Sequence, residues 1–207
     1  MPKKVGFVNL GCPKNQIDAE IMMKKLQNEG YILTSHTGFA DVVIVNTCGF
    51  IESAKQESID NILEFCHLKD EGQVSKIIVT GCLAERYREE LIQEIPELDA
   101  VVGIGSNQDI CNIVRQVVDG EKIEQFGPKE ALPLEGERYL TTLPYYAYIK
   151  IAEGCSNCCS YCAIPSIRGR FRSRKMEDIV EEAKRLAADG VKELIVVAQD
   201  TTRYGED

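Results

Sequence analysis

In the stretch YYAYIKIAEGCSNCCSYCAIPSIRGRFRSR (residues 145–174), Cys155, Cys159 and Cys162 form a C-x3-C-x2-C set. Thiolates this close together on one loop can take three corners of an iron–sulfur cube and leave one iron open. An open coordination position separates a reactive metal site from a structural one, as zinc sites show. Cys158 supplies the rival reading, a zinc knuckle of C-x2-C followed at once by C-x2-C. Zinc ribbons usually place about a dozen residues or more between the pairs, so that separate turns close the tetrahedron. Cys158 and Cys159 are adjacent instead, and neighbouring side chains tend to point apart. A structural disulfide fits poorly in a chain with no secretory signal. The cluster reading is the stronger one, with Cys158 a spare thiol.

Three further cysteines share one device. Leu10-Gly11-Cys12, Asn46-Thr47-Cys48 and Thr80-Gly81-Cys82 each place a thiol just past a predicted parallel strand, and each precedes a helix. In an open parallel sheet those strand ends lie along the edge where ligands bind. A helix N-terminus also favours the thiolate that a metal needs. By spacing alone, three small buried residues is still the better reading of this set. Cys66 and Cys111 fall inside predicted helices and fit that bland reading.

Arg168, Arg170, Arg172, Arg174 and Lys175 put five positive charges in a short run. That run is either a solvated loop or a grip on a carboxylate. Gln199 and Asp200 stand at the end of a predicted strand, where barrels place ligand-binding groups. His36 and His67 look incidental, and the chain has no Gly-rich phosphate loop and no Ser–His pairing.

The elements that must position these residues divide the chain in three. Residues 1–125 alternate short Val/Ile runs (residues 5–10, 42–45, 77–79 and 100–102) with helices. That pattern predicts a doubly wound parallel-sheet α/β domain covered on both faces. Asn15 is the expected N-cap of a helix through Glu29, a helix runs on to about Ile95, and Ser106 or Asn107 caps the last one. Residues 126–144, broken by Pro128, Pro133, Gly136 and Pro144, read as a linker. Residues 145–207 give a strand, the cysteine loop, a helix from about Met176 to Ala188 and a second strand around Leu194. This is one strand–helix–strand unit, truncated relative to a barrel.

The chain has 207 residues, 44% of them hydrophobic and 28% charged, the composition of a globular protein. Nine cysteines without an export signal point to a reducing cytoplasm and to metal chemistry over disulfides. The net charge of −9 sits mostly in residues 1–125, with 12 Lys and Arg against 20 Asp and Glu. So acidic a surface is not built to hold nucleic acid non-specifically.

The cysteine loop, with Tyr161 before its third thiol, resembles the signature of the radical S-adenosylmethionine (SAM) superfamily. With NLGCPKN, VNTCGF and VTGCLAE ahead of it, the whole chain resembles the radical SAM methylthiotransferase family. Pro165-Ser166-Ile167-Arg168-Gly169, Ala198-Gln199-Asp200-Thr201-Thr202 and Cys12-Pro13-Lys14-Asn15 resemble its ribosomal-protein branch more than the tRNA branch. The resemblance implies an N-terminal domain of methylthiotransferase type followed by the first unit of a radical SAM partial TIM barrel. It implies two 4Fe-4S clusters, one on Cys12, Cys48 and Cys82 and one on Cys155, Cys159 and Cys162. It implies SAM as both radical source and methyl donor, with Tyr161, Arg168, Gln199 and Asp200 as candidates for binding it. The implied reaction attaches a methylthio group to the β-carbon of an aspartate in ribosomal protein S12 of the small subunit. Electrons would come from a donor such as flavodoxin or ferredoxin. A tRNA adenosine methylthiotransferase and a non-catalytic zinc module are the alternatives. With only the opening of its barrel, the chain alone is expected not to turn over.

Overall fold

The computed structural model describes residues 3–207. Six parallel strands form one sheet: β1 (Lys4–Asn9), β2 (Ile32–Thr34), β3 (Val42–Thr47), β4 (Lys76–Gly81), β5 (Ala100–Val102) and β6 (Ile123–Gln125), in the order β2-β1-β3-β4-β5-β6. The chain leaves β1 to one side for β2 and then crosses to the other for β3. The β1/β3 boundary is therefore the topological switch point, where doubly wound sheets open a crevice at their carboxyl ends.

The unbroken apolar run of β3 follows from burial on both faces. Val42 and Ile44 pack toward α1 (Pro13–Asn28) and α5 (Ile110–Val118), with Met22, Leu26, Ile113 and Val117. Val43 and Val45 pack toward α2 (Glu52–Asp70), α3 (Cys82–Arg86) and α4 (Arg88–Glu94), with Ile62, Phe65, Leu83 and Leu91.

The expected fold class is the observed one, and several details differ. Strands β2 and β6 sit at the sheet's two edges and were not expected, because three-residue strands carry too little alternation to register. Asn15 lies inside α1, not at its cap: Cys12 holds the cap position and Pro13 starts the helix, where its missing N–H costs nothing. The helix expected to reach Ile95 breaks at Tyr87 into α3 and α4. Ser106 and Asn107 lie in a 3-10 turn (Ile104–Asp109) ahead of α5 rather than capping it.

Residues 126–144 lie against both flanking parts. Arg138 pairs with Glu20 of α1 at 2.6 Å and with Glu182 at 2.8 Å, while Glu20 also accepts from the Thr141 N–H and hydroxyl. Beyond them, β7 (Tyr146–Lys150) pairs in parallel with β10 (Glu193–Val197) across α7 (Met176–Ala188). A short antiparallel pair, β8 (Ala152–Glu153) and β9 (Arg172–Ser173), brackets the cysteine loop and α6 (Ile164–Arg168).

Candidate metal centre

Strands β1, β3 and β4 are neighbours in the sheet, so the residues just beyond their carboxyl ends share one edge. Those residues carry Cys12, Cys48 and Cys82. Both other thiols are close enough to Cys82 to act on it electrostatically. Gly81 makes the turn into α3 with φ +97°, and a Cβ there would lie 2.4 Å from the Thr47 carbonyl oxygen. Only glycine fits both demands.

Buried polar side chains lock this edge. Asn46 donates to Asn9 Oδ1 and to the Asn15 carbonyl, each at 2.8 Å, and Asn15 Nδ2 donates to the Thr47 carbonyl at 2.9 Å. The Ser58 hydroxyl of α2 holds Cys48 by both its N–H and its carbonyl, at 3.1 Å each. Thr47 and Thr80 continue the chain of bonds to Asn107. The sequence signal for this scaffold was polar Asn and Thr at the ends of otherwise apolar runs, a place where buried side chains must find partners.

Cys12 is exposed, Cys48 half-buried and Cys82 buried. At Cys82 burial pushes the thiol pKa up, which runs against the lowering expected from the helix start, and α3 is only five residues long. The nearby Arg168 guanidinium acts in the opposite sense, with Nη2 at 3.6 Å from the sulfur.

Arg168 belongs to α6, far along the chain, and is buried on the N-terminal triad's side. It donates to Asp18 at 2.8 Å, to Glu153 at 3.0 Å and to Asn15 Oδ1. Lys150 of β7 completes a ring by donating to the same two carboxylates, Asp18 at 2.7 Å and Glu153 at 2.9 Å. Two buried cations thus face two buried anions. Burial alone would raise the Glu153 carboxyl, but Arg168 and Lys150 outweigh it and hold it at about 2. Burial likewise opposes the charge on Lys150, and Asp18 and Glu153 keep it protonated.

The second triad sits on the loop between β8 and α6. Cys155 and Cys162 are half-buried, and Cys158 and Cys159 are exposed. The Cys162 N–H donates to the Cys159 carbonyl at 3.0 Å, closing a turn. The Cys155 N–H donates to the Gly169 carbonyl at 3.1 Å, so the residue after Arg168 anchors the first thiol of the loop. Tyr161 is 90% exposed. Gln199 and Asp200 follow β10, and Asp200 accepts from Asn157 of the cysteine loop at 3.4 Å. The Asp200 carboxyl is lowered chiefly by its hydrogen bond from Thr202.

The basic run is not a solvated loop. Arg172 donates to the carbonyls of Glu130 and Lys129, and Arg174 is buried against Glu182 and Glu135. Only Arg170 and Lys175 of the five are exposed. Cys66, in α2, packs in the core, where burial lifts its thiol to about 11.

Among the described residues no group of three or more His, Cys, Asp or Glu side chains is arranged so that it could hold a metal ion. Each triad is three sulfurs, a donor set suited to an iron–sulfur cube with one open iron. Among the described residues no helix is long and apolar enough to cross a membrane.

Residues 4–103 match the uncharacterized protein family UPF0004, and residues 149–207 match the radical SAM superfamily. A protein of Clostridioides difficile (strain 630), "Ribosomal protein uS12 methylthiotransferase RimO", is 56% identical over 99% of this chain and 46% of its own length. Proteins of the same name from Thermoanaerobacter sp. (strain X514) and Acetivibrio thermocellus are 52% and 51% identical over 99% and 100% of this chain and 47% of their own length. The chain thus spans about half the length of the curated relatives it matches. The superfamily implies a 4Fe-4S cluster and SAM. Matched by both domains in this order, and about half identical to these enzymes along its whole length, the chain belongs to the radical SAM methylthiotransferase family.

Proposed function

We propose that the protein containing this chain attaches a methylthio group to the β-carbon of an aspartate in ribosomal protein uS12, using two 4Fe-4S clusters and two roles of SAM. The observation that carries this is the pair of three-sulfur sets, joined by the Arg168–Gly169 segment. Arg168 reaches Cys82, and the carbonyl of Gly169 accepts from Cys155. Cys155, Cys159 and Cys162 are the ligands of the radical SAM cluster, and Cys12, Cys48 and Cys82 those of the second. When bound, the clusters and SAM supply the electron, the hydrogen-abstracting radical, the sulfur and the methyl group.

The chain's own residues bind and orient. Three thiolates per site would leave one iron open, and at the cysteine loop SAM would bind there through its amine and carboxylate. Asp200, tied to the loop through Asn157, would bind SAM there together with Gln199 and the exposed Tyr161. Electrons arrive from a flavodoxin- or ferredoxin-like donor in the cytoplasm. Mass spectrometry of uS12 and of tRNA from cells lacking the gene tests the reading. The aspartate of uS12 is expected to lose its methylthio group while tRNA adenosines keep theirs. Loss from tRNA with uS12 intact would overturn it.

A further inference from the structure

Arg168 carries an oddity that binding SAM does not explain. Its side chain is 1% exposed, turned away from the cysteine loop that precedes it, and reaches into the N-terminal part. There its Nη1 satisfies Asp18 and Glu153, and its Nη2 is shared between Asn15 Oδ1 and Cys82 Sγ, the latter at 3.6 Å. Cys82 Sγ in turn lies 3.5 Å from the same Asn15 oxygen. A planar guanidinium held on four sides has little freedom left, so its direction toward the sulfur is fixed by the fold. The four partners lie in three elements: Asn15 and Asp18 in α1, Cys82 at the start of α3 and Glu153 in β8.

A hydrogen bond to a ligating sulfur stabilises the more electron-rich, reduced state of a cluster. A buried cation at that distance acts in the same direction. From this placement we infer that Arg168 is a positioning residue for the N-terminal cluster. It reaches across from the radical SAM part to fix the Cys82 ligand and raise that cluster's reduction potential. The inference rests on the reading that Cys12, Cys48 and Cys82 hold a cluster. It adds that the two halves of the chain are electrically linked through one side chain, so that docking of the radical SAM part sets the potential of its neighbour.

The test is an anaerobic redox titration followed by electron paramagnetic resonance, in the chain carrying Cys155→Ala, Cys159→Ala and Cys162→Ala so that one cluster gives the signal. Against that background, Arg168→Gln is expected to shift the midpoint potential to more negative values. Arg168→Lys, which keeps the charge and the ring of ion pairs but loses the fork, is expected to shift it less in the same direction. Should the Gln variant fail to fold, the Lys variant decides alone. A residue that only held the fold together would lower cluster occupancy without moving the potential of the clusters that remain. Unchanged potentials in loaded, folded variants would overturn the inference and leave the cluster assignment standing. A background protein that binds no iron would overturn both.

Discussion

Removing Lys150 would leave Asp18 and Glu153 with Arg168 as their one cation, deep in a place where water cannot replace the lost partner. Breaking a buried charge set by deleting one member typically costs about 3–5 kcal/mol, far more than an exposed pair. Lys150→Met is therefore expected to lower the stability of the chain by that order in urea unfolding, whereas Arg115→Met, at the exposed pair with Glu29, should change little. At this scale the cysteines were legible, because few residue types form clusters and their spacing is local. Asn15 and Asp18 were not legible, because their significance lies in partners 132 to 153 positions away in sequence, and Glu153 was not, because Lys150 and Arg168 turn to it only in the fold. Arg168 stood out only as one of five cations. Arg172 and Arg174, two apart along the extended stretch that begins with β9, likewise turn to protein partners.

Among the elements, the cysteine loop depends on one turn. Gly154 has φ +72°, and a Cβ on it would lie 2.2 Å from the Arg170 carbonyl oxygen. Gly154→Ala thus meets both a left-handed conformation, costing on the order of 1–3 kcal/mol, and a backbone overlap that must move Gly169 or Arg170. Since the Gly169 carbonyl accepts from the Cys155 N–H, the shift falls on the first ligand of the loop. The variant is expected to lose iron from the loop triad while keeping that of the N-terminal triad, measured as iron per chain with and without Cys12→Ala, Cys48→Ala and Cys82→Ala. Unchanged iron in Gly154→Ala would show that the turn is not needed. The long helices and the β3 and β4 runs were readable from apolar pattern, since burial on both faces leaves no polar interruption. The edge strands and the break at Tyr87 were not, because pairing and packing from the neighbours decide them.

Over the whole molecule the two parts are unequally built. The first has a six-stranded sheet with an extensive core on each face. The second has two two-stranded sheets and a core of Ala147, Leu186 and Val191, with Val196 of β10 still 51% exposed. Residues 145–207 are therefore expected to exchange amide hydrogens faster than residues 4–120, and equal protection in both would contradict that difference. Residues near the ion ring, around Lys150 and Glu153, should be the slowest of the second part. The central claim is that two triads, one assembled across a sheet and one on a loop, each hold a cluster. Counting iron and acid-labile sulfide after anaerobic reconstitution tests it most directly. Two cubes predict about eight irons per chain, about four when either triad is replaced by alanine and none when both are, with Cys66→Ala, Cys111→Ala and Cys158→Ala unchanged. About four irons in the unaltered chain, all lost with Cys155→Ala, Cys159→Ala and Cys162→Ala, would contradict the account.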